Sequence, residues 1–297
     1  MYDVALLTDD RFIVPTQASI YISNVCTEDQ LLMEALERQG LSVIRVSWSD
    51  ARFDWEQARY ALFRSTWDYA ERFTQFKNWL TELSSHTEMI NPYPLLQWNL
   101  DKHYLNDLQN ADLDVVETLF IEAGSRQSLQ QIHREKNWTK TVLKPAISAG
   151  AKDTFKLDHT NITEHEAKFR ELIKAECMLL QPFQQNIVEQ GEISIVVIGE
   201  KATHAVLKVA KSGDFRVQDD YGGTVHQYHP SKEEVNLALA AVRACQPRPI
   251  YARVDILKNN DDEPVVSELE LIEPELWFRR NPAAADLLAS KIKGYIS

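Results

Sequence analysis

The stretch Val265-Val-Ser-Glu-Leu-Glu-Leu-Ile-Glu-Pro274 sets three glutamates among valine, leucine and isoleucine. Side chains alternate faces along a strand. Glu268 and Glu270 therefore share one face, Leu269 and Leu271 turn to a core, and Glu273 falls on the opposite parity. Upstream, Tyr251-Ala-Arg-Val-Asp-Ile-Leu257 puts Arg253 and Asp255 on one face and Ala252, Val254 and Ile256 on the other. The turn formers of Lys258–Pro264 join the two runs as a hairpin. A register that sets Asp255 opposite Glu268 also sets Arg253 opposite Glu270. Carboxylates gathered in this way repel unless a cation neutralises them. Hard oxygen donors suit Mg2+, which also takes water and phosphate oxygens. A half-solvated sheet face with cross-strand Arg–Glu pairs shows the same alternation, and the hairpin alone does not choose between the two.

Other segments bear on that choice. Thr141-Val-Leu-Lys-Pro145 ends an apolar strand in Lys144, and the small-residue loop Ala146-Ile-Ser-Ala-Gly-Ala151 follows. A lysine beside accessible backbone N–H groups makes a phosphate cradle, with Ser148 and Gly150 in its loop. An ordinary connecting turn reads the same way, and the Walker pattern GxxxxGK[ST] is absent. Asp101-Lys102 opens a predicted helix, where a lysine opposes the dipole; service to a ligand and simple surface exposure both fit Lys102. His204, Val206 and Lys208 share a strand face. Lys211-Ser-Gly-Asp-Phe-Arg216 follows, and then Gly222-Gly223, the one adjacent pair among 9 glycines. Basic side chains before a flexible glycine pair suit an anionic substrate or a transferring phosphoryl group. Gln181-Pro-Phe183 closes an apolar strand whose end can offer backbone groups to a flat heterocycle. Glu192 could accept ribose hydroxyls. Either could equally be a plain surface feature. His204 reads as structural, and no other histidine is given a role.

These residues need a frame. The first 95 or so residues alternate strand and helix: Asp3–Leu7, a helix Thr27–Gln39 with Thr27 as N-cap and Gly40 as its stop, Leu41–Val46, and Tyr60–Phe63. That order implies a parallel sheet, with ligands beyond the carboxyl ends of its strands, at Thr8-Asp-Asp10 and Arg64–Tyr69. The turn Asn91-Pro-Tyr-Pro94 marks a boundary. A helix over Leu100–Leu108, strands at Asp114–Phe120, Thr141–Lys144 and Met178–Phe183, and helices at Arg126–Glu135 and His165–Ala175 make a mixed middle section. Strands dominate from Glu192, with helices at Lys232–Cys245 and after Asn281-Pro282. The fold class is α/β followed by α+β, in units 1–95, 96–185 and 186–297.

Composition narrows the function. The 297 residues carry a net charge of −12, which argues against nucleic acid as a partner but leaves room for a local basic pocket. The three cysteines show no metal spacing and read as buried, reduced thiols. The N-terminus has no basic region followed by a long apolar run, and no segment approaches the roughly 20 apolar residues of a membrane helix. A cytoplasmic protein with no membrane partner is expected.

Taken in order, Asp101-Lys102, Leu143-Lys144-Pro145, Gly191-Glu192, Phe215-Arg216 with Gly222-Gly223, Arg253-Val-Asp255, and Glu268-Leu-Glu270 with Pro274 resemble the ATP-grasp superfamily. The likeness is to its glutathione-synthetase-like and RimK-like ligases and covers nearly the whole chain. Arg64-Ser-Thr-Trp-Asp-Tyr69, Lys144-Pro-Ala-Ile-Ser-Ala-Gly150 and Ser267–Pro274 are similar to a branch that includes a cyclo-ligase of cycloserine biosynthesis. Two departures stand out. Glu270 occupies the position of the family's Asn, which keeps an oxygen donor and adds a charge, and the glycine-rich loop is reduced to Ser148-Ala-Gly-Ala151.

The resemblance implies an N-terminal parallel-sheet α/β domain and two α+β subdomains enclosing ATP. It implies that Lys102 and Lys144 hold the nucleotide phosphates, that Gln181 and Phe183 border adenine, and that Glu192 meets the ribose. Asp255, Glu268 and Glu270 would hold two Mg2+ ions, with Mn2+ as a substitute. Arg253 would stabilise the transferring phosphoryl group, and Lys208 and Arg216 would face a substrate carboxylate or acyl phosphate. Thr8, Arg64 and Asp68 stand at strand ends facing the presumed cleft, and the Gly222-Gly223 loop joins them as the substrate side. The implied reaction activates a carboxylate as an acyl phosphate and captures it with an amine, from a second molecule or the same one. Its substrates would be small, carboxylate- and amine-bearing and amino-acid-derived, and a homodimer is common among such ligases. A phosphotransferase and a non-catalytic nucleotide-binding module are the rival readings.

Overall fold

Val4, Ala5, Leu6 and Leu7 are fully buried, so the first strand is apolar on both faces, as befits a parallel strand covered on each side. The computed structural model describes residues 1–15, 19–218 and 221–297. The chain begins β1 (Tyr2–Thr8), α1 (Ile20–Arg38), β2 (Val43–Ser47), β3 (Ala58–Ser65), α2 (Phe73–Leu83) and β4 (Glu88–Ile90). These strands form a parallel sheet in the order β2-β1-β3-β4. Helix α1 starts earlier than its apolar spacing predicts. The Ser19 hydroxyl accepts the Ile22 N–H at 3.1 Å, whereas the Thr27 hydroxyl donates to the Ser23 carbonyl within the helix. Gly40, at φ +75°, stops the helix as expected.

A separate short helix α3 (Tyr93–Asn99) comes first, and the helix expected over Leu100–Leu108 starts late, as α4 (Tyr104–Asn110), after a turn at residues 101–103. Lys102 is thus in a turn and not in a first helical turn, and the dipole argument does not apply to it. Its N–H donates to the Ala146 carbonyl at 3.0 Å. Then follow β5 (Leu119–Ile121), α5 (Leu129–Lys136), β6 (Lys140–Pro145), β7 (Phe155–Asp158), α6 (Ile162–Leu172) and β8 (Met178–Pro182). Their antiparallel sheet has the order β5-β8-β6-β7.

The last stretch runs α7 (Asn186–Glu189), β9 (Glu192–Ile198), β10 (Lys201–Val209), β11 (Thr224–Tyr228), α8 (Lys232–Ala244), β12 (Tyr251–Lys258), β13 (Pro264–Glu270) and α9 (Pro282–Ile296). Its sheet, β11-β10-β9-β12-β13, is antiparallel throughout. Ile195, Val254 and Leu269 bury one of its faces together with Ala238 of α8 and Leu105 of α4. Leu288 and Ile292 of α9 pack with Leu32 and Leu36 of α1, so the end of the chain closes over the first sheet. Buried Glu28 on α1 reinforces that closure. It accepts the Phe278 N–H at 2.7 Å, the Arg279 N–H at 3.0 Å and the Arg279 guanidinium at 3.0 Å.

The three cysteines are free, but only Cys245 is buried; Cys26 and Cys177 are half-exposed. Among the described residues no helix is long and apolar enough to cross a membrane.

Candidate active site

The hairpin of β12 and β13 pairs Arg253 with Glu270 and Asp255 with Glu268, the register that the alternation predicts. Leu269 and Leu271 are buried on the opposite face, beneath the carboxylates. This face floors a cavity of about 540 Å3, a size suited to a nucleotide-scale ligand. Lys102, Lys144, Ser148, Gly150, Gln181 and Phe183 line it, as do Glu192, Lys208, Arg216, Arg253, Asp255, Glu268 and Glu270. The cleft thus brings together residues from the turn before α4, from β6 and the loop after it, from β8 and from four strands of the last sheet.

Each of the three floor carboxylates has a cationic partner. Lys102 Nζ is 3.1 Å from Glu268 Oε1 and also donates to the Ser148 carbonyl at 2.8 Å. Arg253 forks onto Asp255, Nε to Oδ1 and Nη2 to Oδ2, both at 2.9 Å, and pairs with Glu270. Buried Lys208 bridges Asp255 at 2.9 Å and Glu192 at 2.6 Å. Glu192 also accepts the Ser267 hydroxyl at 2.8 Å, and Asp255 the Ser194 hydroxyl at 2.6 Å. Charge is not balanced evenly. Burial opposes ionisation of Asp255, yet Arg253 and Lys208 hold it far below the usual carboxylate range. Glu268 is likewise lowered against its burial, by Lys102 and Lys144. Glu270 is pushed well above its ordinary value, first by burial and then by Asp255, Glu268 and Glu273, which together outweigh Arg253. A crowded oxygen-donor set carrying such surplus negative charge fits a divalent cation of the Mg2+ kind. Lys144 is lowered, first by burial and then by neighbouring Lys102, and an anion in the cleft would oppose that shift.

Two loops border the opening. Arg216 pairs with Asp214 at 2.7 Å and lies over the Tyr221 ring at 3.7 Å, while the Tyr221 hydroxyl donates to the Gly150 carbonyl at 3.3 Å. Gly222 and Gly223 do not line the cavity. Gly222 has φ +81°, and a Cβ on Gly223 would lie 2.3 Å from the Val217 carbonyl oxygen, so both serve the path of the loop. Lys156, which the sequence did not single out, lies 3.7 Å over the Phe183 ring.

Thr8, Arg64 and Asp68, expected on the substrate side, also lie outside the lining. Thr8 is buried against Ser65, hydroxyl to hydroxyl at 2.7 Å. Arg64 donates to the Pro274 carbonyl at 2.9 Å, and Asp68 accepts the Trp48 indole N–H at 2.7 Å. The segment following β13 packs against the end of β3, where it takes up Arg64. Its own residues Glu273, Glu275 and Trp277 line the cavity, beside Arg11, Tyr21 and Trp67 from the first unit. The Trp67 indole donates to the Glu273 carbonyl at 2.8 Å. Trp277, at φ +46°, places its ring 5.3 Å from the Arg253 guanidinium. His204 is structural, as read, its Nε2 lying 2.9 Å from the Leu276 carbonyl.

Glu273 is the residue whose role the alternation could not supply. Burial pushes it from the ordinary 4.5 up to about 7, against the pull of Lys102 and a Tyr69 hydrogen bond. An acid with a raised folded-state pKa binds extra protons when folded, so the ligand-free fold loses stability as pH rises from about 4.5 to 7. Replacing Glu273 with glutamine should flatten the pH dependence of Tm across that window, by calorimetry; parallel curves for the two proteins would remove this account.

Family comparisons agree with the layout. Residues 141–274 match the model of the RimK-like ATP-grasp domain, and residues 4–91 match that of the D-cycloserine synthetase DcsG N-terminal domain. The chain carries a RimK-like ATP-grasp domain. The cycloserine biosynthesis protein DcsG of Streptomyces lavendulae is 28% identical over 287 residues, spanning 88% of this chain and 93% of that protein. The crystal structure of D-cycloserine synthetase DcsG superposes with a TM-score of 0.86 at 24% identity, over 99% of each chain. The ATP-grasp ligase PsnB, solved with a minimal precursor, Mg and ADP, gives 0.62 at 15% identity over 98% of each chain. With that domain and the likeness to DcsG the chain is an ATP-dependent enzyme that forms carbon–nitrogen bonds, and the PsnB complex is the one solved with Mg and ADP.

Proposed function

We propose that this ATP-grasp ligase closes a ring within one amino-acid-derived substrate, activating its carboxylate as an acyl phosphate and joining it to an amine-type nitrogen of the same molecule. The observation that carries this reading is the neutralised carboxylate floor: Asp255, Glu268 and Glu270, each paired with a cation, in a cleft also lined by Lys144 and Ser148. Phosphoryl transfer asks mainly for alignment and charge neutralisation, and this cleft offers both without a nucleophile triad. The ring-closing form draws on the likeness to DcsG along most of both chains.

In this reading Lys102 and Lys144 hold the nucleotide phosphates, with the Ser148–Gly150 loop closing over them. Gln181 and Phe183 border the adenine and Glu192 the ribose. Asp255, Glu268 and Glu270 hold two Mg2+ ions, with Mn2+ an acceptable substitute, and these ions supply charge neutralisation between nucleotide and acceptor oxygens. Arg253, freed from part of its carboxylate pairing, faces the transferring phosphoryl group. Lys208 and Arg216 face the acyl phosphate. Thr8, Arg64, Asp68, Gly222 and Gly223 act at one remove, by shaping the loops around the substrate. Sequence units 1–95, 96–185 and 186–297, a cytoplasmic setting and a homodimer complete the reading.

The test is a screen for ADP and phosphate release with amino-acid derivatives carrying both a carboxylate and a free amine-type nitrogen. The expected result is ADP plus phosphate from one such compound, unaffected by added free amines. A need for a second, separate amine overturns ring closure. ADP without phosphate indicates a phosphotransferase, and ATP binding with no turnover indicates a binding module.

A further inference from the structure

We infer that His103, Glu122 and Cys177 form a second metal site, separate from the cleft carboxylates and suited to Zn2+. Backbone register brings the three together. Strands β5 and β8 pair antiparallel, with Ile121 opposite Met178. One residue further on, Glu122 and Cys177 face each other at the end of the ladder. The turn between α3 and α4 then lays His103 over this edge, where its ring stacks on Phe120 with centroids 4.0 Å apart.

The donor atoms converge. Nε2 of His103 is 3.2 Å from Glu122 Oε1 and 3.9 Å from Cys177 Sγ, and one donor atom from each residue lies within 4.8 Å of the other two. Around a tetrahedral Zn2+ with bonds of about 2.0–2.3 Å, donors stand roughly 3.3–3.6 Å apart, so small side-chain adjustments suffice. The other ring nitrogen, Nδ1, is 2.6 Å from Asp101 Oδ1. A carboxylate on the remote nitrogen is the arrangement that orients a zinc-binding imidazole and presents Nε2 to the metal. The mixed nitrogen, sulfur and oxygen set favours Zn2+ over Mg2+, and three protein ligands leave one position for water. In the metal-free protein burial pushes the Cys177 thiol up to about 12. Coordination therefore releases the thiol proton to solvent as the Zn–S bond forms.

The position gives the site a mechanical consequence. The Cys177 carbonyl accepts the Ala146 N–H at 2.9 Å, and the Ala146 carbonyl accepts the Lys102 N–H at 3.0 Å. Zn2+ across His103 and Cys177 would pin the turn that carries Lys102 to the second sheet, at the back of the loop that lines the cleft.

The full-length protein, stripped of metal and held in excess Mg2+, would be titrated with Zn2+ and separately with Co2+. One equivalent should bind, with a thiolate-to-cobalt charge-transfer band in the Co2+ sample. Cys177→Ser and His103→Ala should lose the band, Asp101→Asn should weaken binding by about 10–100-fold, and Cys26→Ser should leave both unchanged. Binding without a thiolate band, or a stoichiometry that survives Cys177→Ser, would assign the metal to the cleft carboxylates and overturn the proposal, as would no binding at all. Circular dichroism of the variants separates lost ligands from lost folding.

Discussion

Replacing Arg253 with alanine is expected to lower ADP formation by about 10^3-fold or more, the scale of an arginine aimed at a transferring phosphoryl group. The same change is expected to weaken the fold. Arg253 is buried, forks onto Asp255 and pairs with Glu270, so truncation leaves buried Asp255 and part-buried Glu270 short of a partner. Removing one member of a buried ion pair costs about 3–5 kcal/mol. Arginine to lysine separates the two effects. A lysine keeps the charge and most of the stability but loses the planar fork, so turnover should stay low while Tm recovers. ADP formation would be followed by a coupled assay and stability by thermal unfolding. Near-normal turnover in the lysine variant would remove Arg253 from the phosphoryl-transfer role.

Asp255→Asn is expected to have the second-largest effect. Asp255 is almost fully buried and is the shared partner of Ser194, Lys208 and Arg253. The amide preserves shape, removes a metal-binding charge and leaves Lys208 with Glu192 as its one remaining carboxylate. Turnover should fall by at least about 10^2-fold, with a raised Mg2+ requirement, by analogy with the loss of a group that stabilises transition-state charge. Stability should drop at neutral pH by a few kcal/mol, of order 3–5 for one buried partner removed. The sign with pH is distinctive. A carboxylate with a lowered folded-state pKa stabilises the fold above its unfolded value, near 3.9, and loses that contribution as pH falls through the folded value. The gap in Tm between wild type and variant should therefore narrow in strong acid. A gap that is constant with pH, or an unchanged Mg2+ titration of activity, would contradict the role given to Asp255.

The floor of the cleft was legible because it rests on local rules. Alternation fixes which side chains share a strand face, and a hairpin of turn formers fixes the partner strand, so the four residues Arg253, Asp255, Glu268 and Glu270 could be grouped by parity alone. The order of the lysines, the small-residue loop and the glycine pair supplied the family likeness in the same linear way. Helix α1 and the pair α3 and α4 were less legible. Their ends depend on Ser19 and on a turn at residues 101–103 that interrupts an otherwise continuous apolar spacing.

What the chain of letters determined about this protein, then, is the identity of its charged surface: a carboxylate strand pair, basic residues at strand ends and a glycine-dependent loop. What only the tertiary structure decided is who neutralises whom. Lys102, Lys208 and Arg253 come from three distant segments, and no spacing predicts that Lys102 would settle on Glu268 while Lys208 and Arg253 share Asp255. Nor does the rule that ligands sit beyond parallel strand ends say which side chains reach the ligand. Thr8, Arg64 and Asp68 obey the rule in position yet turn into contacts of their own, Thr8 with Ser65 and Asp68 with Trp48, while Arg64 is taken up by the segment Glu273–Phe278 that returns from far along the chain. Parity and strand ends are properties of neighbours in sequence. Coulomb pairing and coverage by a remote segment depend on distances through space, which the order of residues does not contain.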